Sequence, residues 1–202
     1  MLLDSTRPIG KTLNTDTGRP KSTSAGVLLQ CQEVTQPRWH VLRATYAREL
    51  KVQTALQEKG IRTFIPMMWR EKKLVPAVSG LVFALATREA LDLYIRSFGD
   101  ARPVNYYWDR TTNAPLTVPA KAMEDFITIA STLDEDLIYL TEISEKLREG
   151  QEVTILEGPF KGVQGRIVRI KKNRRVMVEL PGMMAVASTY VKPNYLEITK
   201  PE

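Results

Sequence analysis

Between Glu157 and Ile170 the sequence reads EGPFKGVQGRIVRI. Glycines, a proline and a lysine crowded together are the residue types of a phosphate-binding loop. The spacing of Gly158, Gly162 and Gly165 nevertheless matches neither G-x-x-x-x-G-K-[ST] nor G-x-G-x-x-G. A phosphate loop also feeds a helix whose N-terminal amides face the anion, whereas Arg166-Ile167-Val168-Arg169-Ile170 alternates as a strand does. The stretch therefore reads as a tight connection between strands. Gly158, Pro159 and Gly162 shape the turn, Phe160 packs beneath it, and Gly165 permits a close backbone approach or a bulge.

Other reactive residue types are sparse. His40 is the sole histidine and sits in a strand pattern, which suits a structural or surface-contact role better than a catalytic base. Cys31, the sole cysteine, has no histidine near it in sequence and no partner for an intramolecular disulfide. No Cys/His spacing suits a metal, and the adjacent acids Asp134, Glu135 and Asp136 lack an apolar shell, as in a solvated loop. With no convergent nucleophile, base and oxyanion donor, a non-enzymatic protein without cofactor or metal is expected. The basic residues say more. Lys161, Arg166, Arg169, Lys171, Lys172, Arg174 and Arg175 follow one another without an intervening acid. On a strand-turn-strand they make either a phosphate contact for RNA or a solubilising hairpin tip, and few aromatic residues interleave for base stacking.

The elements that position these residues divide the chain. Residues 1–37, rich in Thr, Ser, Gly, Pro and Lys, read as a flexible tail. Residues 38–132 carry a net charge of +5, 133–149 carry −4 and 150–202 carry +4, so an acidic linker, with a short strand expected at Leu137 to Leu140, separates two basic blocks. Trp39 to Ala44 alternates with apolar residues on both faces, a central strand. A helix over 48–59 is expected to turn Leu50, Ala55 and Leu56 inward, with Gly60 as its stop. A strand over 62–68 contains Pro66 and leads to the basic tip Arg70-Glu71-Lys72-Lys73. The apolar run 77–86 is the strongest strand signal. Thr87 caps a helix over 88–97, a strand covers 104–108, and Pro119 opens a helix to Ser131. Helices among hairpin-joined strands predict an α+β sandwich with helices on one face of an antiparallel sheet. Beyond Gly150, five short strands in about fifty residues predict a small barrel.

The start Met1-Leu2-Leu3-Asp4 lacks the features of a secretion signal, and the longest apolar stretch is far below the roughly 20 residues that span a bilayer. A cytoplasmic protein without membrane contact is expected. It is expected to be a monomer, since no apolar stripe is left over once sheet and helices are satisfied.

Trp39-His40-Val41-Leu42-Arg43-Ala44, Glu49 through Gly60-Ile61, Phe64-Ile65-Pro66 and Ser79-Gly80-Leu81-Val82-Phe83 precede Gly150-Gln151-Glu152-Val153, Glu157 to Gly162, Gly165 and Val168. With these residues, over about 38–198, the chain resembles the NusG family of transcription elongation factors, in particular its UpxY-like antiterminators of polysaccharide operons. The resemblance implies an NGN-like domain over 38–132 that binds the clamp of bacterial RNA polymerase and suppresses pausing and termination. It also implies a KOW, SH3-like domain over 150–202 whose signature residues are Gly158, Pro159, Phe160, Gly162 and Gly165. By position it assigns the polymerase patch to Trp39, Val78, Ser79, Leu81 and Phe83, although Ser79 and Leu81 depart from the family's usual residues there and Phe83 suits a sheet core equally well. A second polymerase contact falls at Asp92 and Tyr94, and Arg70, Lys72 and Lys73 fall near the DNA path. Nascent RNA or DNA and a ribosomal protein are the further partners implied. The alternative is an RNA-binding or ribosome-associated KOW protein.

Overall fold

A computed structural model describes residues 36–99, 103–170 and 172–199. The expected tail lies outside the described residues except for Gln36 and Pro37, as do Cys31 and Lys171.

Strand β1 (Arg38–Ala44) is central, as its two apolar faces require. It pairs antiparallel with β5 (Leu81–Ala86) and with β6 (Val104–Tyr106), β9 (Thr117–Val118) also joins it, and β2 (Arg62–Phe64) lies beyond β5. The register sets Trp39 opposite Leu85 and Val41 opposite Phe83. On one face Leu42, Ala44, Val82 and Ala84 share a core with Val52 and Leu56 of helix α1 (Glu49–Gln57) and with Leu91, Tyr94 and Ile95 of α2 (Arg88–Arg96). On the other, Trp39, Val41, Leu81 and Phe83 share a core with Met123, Phe126 and Ile129 of α3 (Ala120–Ala130). Helices thus cover both faces, not the single face expected. Strands that are apolar at odd and even positions alike leave no face for water.

Local chemistry explains the boundaries. Thr87 accepts the Ala90 N–H at 3.3 Å, Glu89 stands in the first turn of α2 and Arg96 in the last, both favourable to the helix dipole. In α1 the buried pair is Val52 and Leu56, four residues apart, which turns Leu50 outward instead of inward. The strand expected over 62–68 breaks at Ile65-Pro66, where proline removes a ladder donor. β3 (Met67–Arg70) then folds back on β4 (Lys73–Pro76) through Glu71 and Lys72, both at positive φ. The run 77–86 becomes a strand only from Leu81, after the turn at Ser79-Gly80. The strand expected over 104–108 divides, its end forming a small hairpin of β7 (Trp108–Asp109) with β8 (Ala114–Pro115).

The five expected C-terminal strands all form: β11 (Glu152–Ile155), β12 (Gln164–Ile170), β13 (Asn173–Leu180), β14 (Met184–Tyr190) and β15 (Leu196–Ile198). A sixth, β10 (Ile138–Leu140), comes from the acidic segment, and the order is β10-β14-β13-β12-β11-β15. The barrel expected from five strands is therefore a six-stranded sheet whose end strands, among the described residues, do not pair with each other. The short strand expected at Leu137 to Leu140 within 133–149 forms as β10 and joins this sheet. Ile138 and Leu140 pack with Val168, Met177 and Ala187, while Tyr139 meets the Phe126 ring at 6.3 Å, and a helical turn, α4 (Glu145–Arg148), follows. The Tyr139 hydroxyl donates to the Met67 carbonyl at 3.1 Å, and burial raises its pKa to about 12.

Helix α3 also lies against β13 and β14. One core therefore runs from Trp39 and Phe83 through Phe126 to Val178, Leu180 and Val186, and the described residues form one unit.

Candidate functional site

The residues expected to form an exposed apolar patch sit, for the most part, inside. Trp39, Leu81 and Phe83 are each 3% exposed or less. Phe83 meets the Phe126 ring at 6.1 Å. The Arg62 guanidinium lies 5.2 Å from the Trp39 ring centre while making a two-pronged pair with Glu124 at 2.7 and 3.0 Å, which closes the rim of that core. As the chain stands, these three are core side chains because α3 covers the odd face of β1 and β5. Val78 is half-buried at the margin of the same core, and Ser79 is exposed. The Ser79-Gly80 turn is held firmly: the Gly80 N–H donates to the buried Glu49 carboxylate at 2.5 Å, and the Gly80 carbonyl accepts the Ala44 N–H at 2.7 Å. Glu49 was missed by sequence reasoning, since an acid in the first turn of a helix reads as an ordinary surface residue.

Asp92 and Tyr94 separate. Tyr94 is buried, edge-on to Phe98 at 5.1 Å, and burial raises its hydroxyl pKa. Half-buried Asp92 accepts from the Tyr106 hydroxyl at 2.8 Å and lies 3.9 Å from Arg88. Burial and the Asp92 hydrogen bond raise the Tyr106 pKa. His40 is buried beside the Tyr106 ring at 5.9 Å, and its Nδ1 has no hydrogen-bond partner among the described residues. Burial, then the charges of Arg88 and Arg38, lower its pKa below the ordinary histidine value.

The basic run divides into different jobs. Arg166 donates to Glu152 at 2.6 Å and to the Arg148 carbonyl. Arg175 is buried, donating one Nη to the Asp136 carbonyl at 2.6 Å and to the Ser188 carbonyl at 2.8 Å, which ties the acidic segment to β13 and β14. Arg175 is thus an internal cross-tie, not the nucleic-acid contact expected of it, and Arg166 is engaged by its neighbours. Lys161 is exposed on the glycine loop, far in sequence from the hairpin tip. Arg169 and Arg174 are exposed and directly opposite in the β12–β13 ladder, with Lys172 at the turn, φ 70°. At the β3–β4 tip, Arg70, Lys72 and Lys73 are exposed. Beside them Trp69 stands opposite Leu74 and donates its indole N–H to the Leu133 carbonyl at 3.0 Å.

The glycine loop uses its amides internally. Gly162, at φ 85°, donates its N–H to the Ile155 carbonyl at 2.7 Å, Val163 donates to Phe160, and Lys161 to Gly158. Those amides are unavailable to cradle an anion. Phe160 is buried, while Gly158 and Pro159 are exposed. A Cβ on Gly165 would stand 2.5 Å from the Met177 carbonyl oxygen, so the close approach of β12 to β13 requires glycine. Helix α3 holds the loop from beneath: Lys121 donates to the Gly162 carbonyl at 3.0 Å and to Asp125 at 2.5 Å, and buried Asp125 accepts the Gln164 N–H at 3.3 Å. Sequence reasoning missed Lys121 and Asp125, whose spacing of four reads as a helix surface pair. It also missed the half-exposed Tyr107 and Trp108, which with Arg110 and Pro181 line an open cleft of about 710 Å³.

Among the described residues no group of three or more His, Cys, Asp or Glu side chains could hold a metal ion, and no helix is long and apolar enough to cross a membrane. No curated protein matches the chain in sequence. A solved structure of Thermotoga maritima NusG, described as showing domain interaction in that protein, is similar with a TM-score of 0.43 and 18% sequence identity, covering 82% of this chain and 98% of that one. The KOW motif matches residues 149–179, so the chain carries a KOW motif that begins after α4 and runs through β11 and β12 into β13.

Proposed function

We propose that this protein is a cytoplasmic transcription elongation and antitermination factor that performs no catalytic step of its own. Its N-terminal domain binds the clamp of bacterial RNA polymerase, and preferential binding to the closed clamp shifts the population away from pausing and termination. Operons for polysaccharide biosynthesis are its targets, as for the UpxY-like proteins that its N-terminal motifs resemble. The observation that carries this reading is the KOW motif over 149–179 that follows an α+β domain after the acidic segment 133–149. Of the surface expected to meet the clamp, the exposed Ser79 turn, braced by Glu49, is the part open to a partner.

The test is retention of purified RNA polymerase by the tagged full-length chain, with transcription through terminators on templates with and without the cognate leader. Retention with increased readthrough is expected. Absence of both would overturn the reading. Ser79→Glu is expected to weaken retention while leaving the melting temperature unchanged.

A further inference from the structure

Exposed aromatic side chains scattered singly are ordinary, but an adjacent pair lining a cleft is not. Tyr107 and Trp108 are both about half-exposed, and they line the cleft of about 710 Å³ together with Leu116, Pro119 and Pro181. The pair is held in place by the backbone. Tyr107 donates its N–H to the Val41 carbonyl at 2.9 Å and accepts the Leu116 N–H at 2.7 Å, which ties it to the central strand. Trp108 stands opposite Pro115 in the β7–β8 hairpin. Asp109 fixes the hairpin turn, its carboxylate accepting the Thr111 N–H and the Thr112 hydroxyl, each at 2.8 Å. Neither the Trp108 indole N–H nor the Tyr107 hydroxyl has a hydrogen-bond partner among the described residues. Thr117 and Pro119 also border a second cavity, of about 340 Å³, lined by Pro37, Leu85 and Val118. The two cavities adjoin at these shared residues and make an elongated groove instead of a compact pocket. Its walls are aromatic, prolyl and aliphatic, with Arg38 in one cavity and Arg110 in the other.

We propose that this groove docks an extended, proline-rich segment of a partner protein that carries acidic residues beside its prolines. A polyproline II chain makes no internal hydrogen bonds, so its carbonyls are left for donors such as the Trp108 indole and the Tyr107 hydroxyl. Its pyrrolidine rings pack against aromatic side chains, the chemistry of grooves that read such segments. Charge sets the acidic flank. Arg110 is exposed and forms no ion pair among the described residues, whereas the carboxylate beside it, Asp109, is engaged by its own turn. A nucleic-acid strand fits less well, because it needs a track of cations along its phosphates, and Leu116, Thr117 and Pro119 between the two arginines supply none. Polymerase enters neither this surface nor its test, so the groove and the polymerase reading can fail separately.

The experiment is selection from a displayed library of random peptides, about twelve residues long, on the immobilised full-length chain, followed by fluorescence anisotropy of the labelled consensus peptide. Enrichment of sequences with repeated proline and a flanking Asp or Glu is expected. Against wild type, Trp108→Ala should weaken binding of the consensus peptide about tenfold or more with the melting temperature unchanged. Arg110→Gln should weaken it about threefold and reduce its salt dependence, as loss of a rim charge does. Trp69→Phe, which alters an exposed tryptophan elsewhere, should bind as wild type does. No enrichment, or enriched sequences without proline, would overturn the proposal. So would equal affinity of wild type and Trp108→Ala, or an equal loss in Trp69→Phe. Labelled single-stranded RNA whose binding is lost in Trp108→Ala, without any peptide enrichment, would overturn it in favour of a nucleic-acid strand. Self-association in sedimentation equilibrium that is lost in Trp108→Ala would overturn it in favour of a second copy of this chain.

Discussion

In the N-terminal sheet, Trp39, Leu81 and Phe83 share one face and end beneath α3; in the C-terminal sheet, Ile167 and Val176 share a face with Arg169 and Arg174, and the two arginines end in the open. Both sets were candidate contact residues, and both lie at alternate positions of paired strands. What separates them is the element lying across the face. Helix α3 covers the first completely, and it reaches β13 and β14 without covering the β12–β13 tip. Contact residues in a sheet are therefore identified by which stretch of a face a neighbouring helix leaves bare, and alternation alone does not show that.

The sharpest way to break this contrast is Leu81→Asp, which places a charge in a sealed core and should cost more than about 4 kcal/mol, enough to unfold the chain in a urea titration. Phe83→Ala should cost about 3–5 kcal/mol by the same measurement. A Leu81→Asp protein that kept its fold and lost only polymerase retention would show that α3 moves aside and that this face is a docking surface. Adjacent arginines give the next test. Arg175→Ala removes the donor to the Asp136 and Ser188 carbonyls and should cost about 2–4 kcal/mol, whereas Arg174→Ala should fall within about 0.5 kcal/mol of wild type. Asp125→Ala strips an acceptor from the Gln164 N–H and should cost about 1–3 kcal/mol. Matching losses for Arg174 and Arg175 would remove the distinction between an exposed arginine and a buried cross-tie.

The smallest effect is a pH dependence from His40. Its folded pKa lies below the usual value near 6.5, so between the two values the unfolded chain binds a proton that the native chain does not. Stability is then complete above about pH 6.5 and declines as pH falls toward the folded pKa, by at most about 1.4 kcal/mol per unit. Denaturant midpoints of wild type and His40→Gln should converge in their pH dependence above 6.5 and diverge below it; parallel curves throughout would mean that His40 titrates alike in both states.

Much of the secondary structure was legible because local chemistry specifies it: the Thr87 cap, the alternation of β1, the helical spacing of Met123 and Phe126, and the five C-terminal strands. Boundaries slipped where proline or a turn interrupted an apolar run, at Ile65-Pro66 and Ser79-Gly80. The burial of the carboxylates Glu49 and Asp125 was illegible, because each accepts a backbone N–H from a segment at least thirty residues away, Gly80 and Gln164. The same holds for the Tyr139 hydroxyl, which donates to the Met67 carbonyl at a distant position in the N-terminal domain's sequence.

Residue order alone dictates that the loop at Gly158 to Gly165 is a turn between strands, that β1 and β5 carry apolar residues at odd and even positions alike, and that the acid-free run 161–175 is basic. These follow from backbone sterics, hydrophobic periodicity and charge, which act within a few residues. Which arginines of that run are free, and which apolar residues a partner could touch, depends on the packing of α3 and β10 against sheets distant in the chain. Burial is a property of what lies on the other side of a face, and only the folded arrangement brings that other side into place.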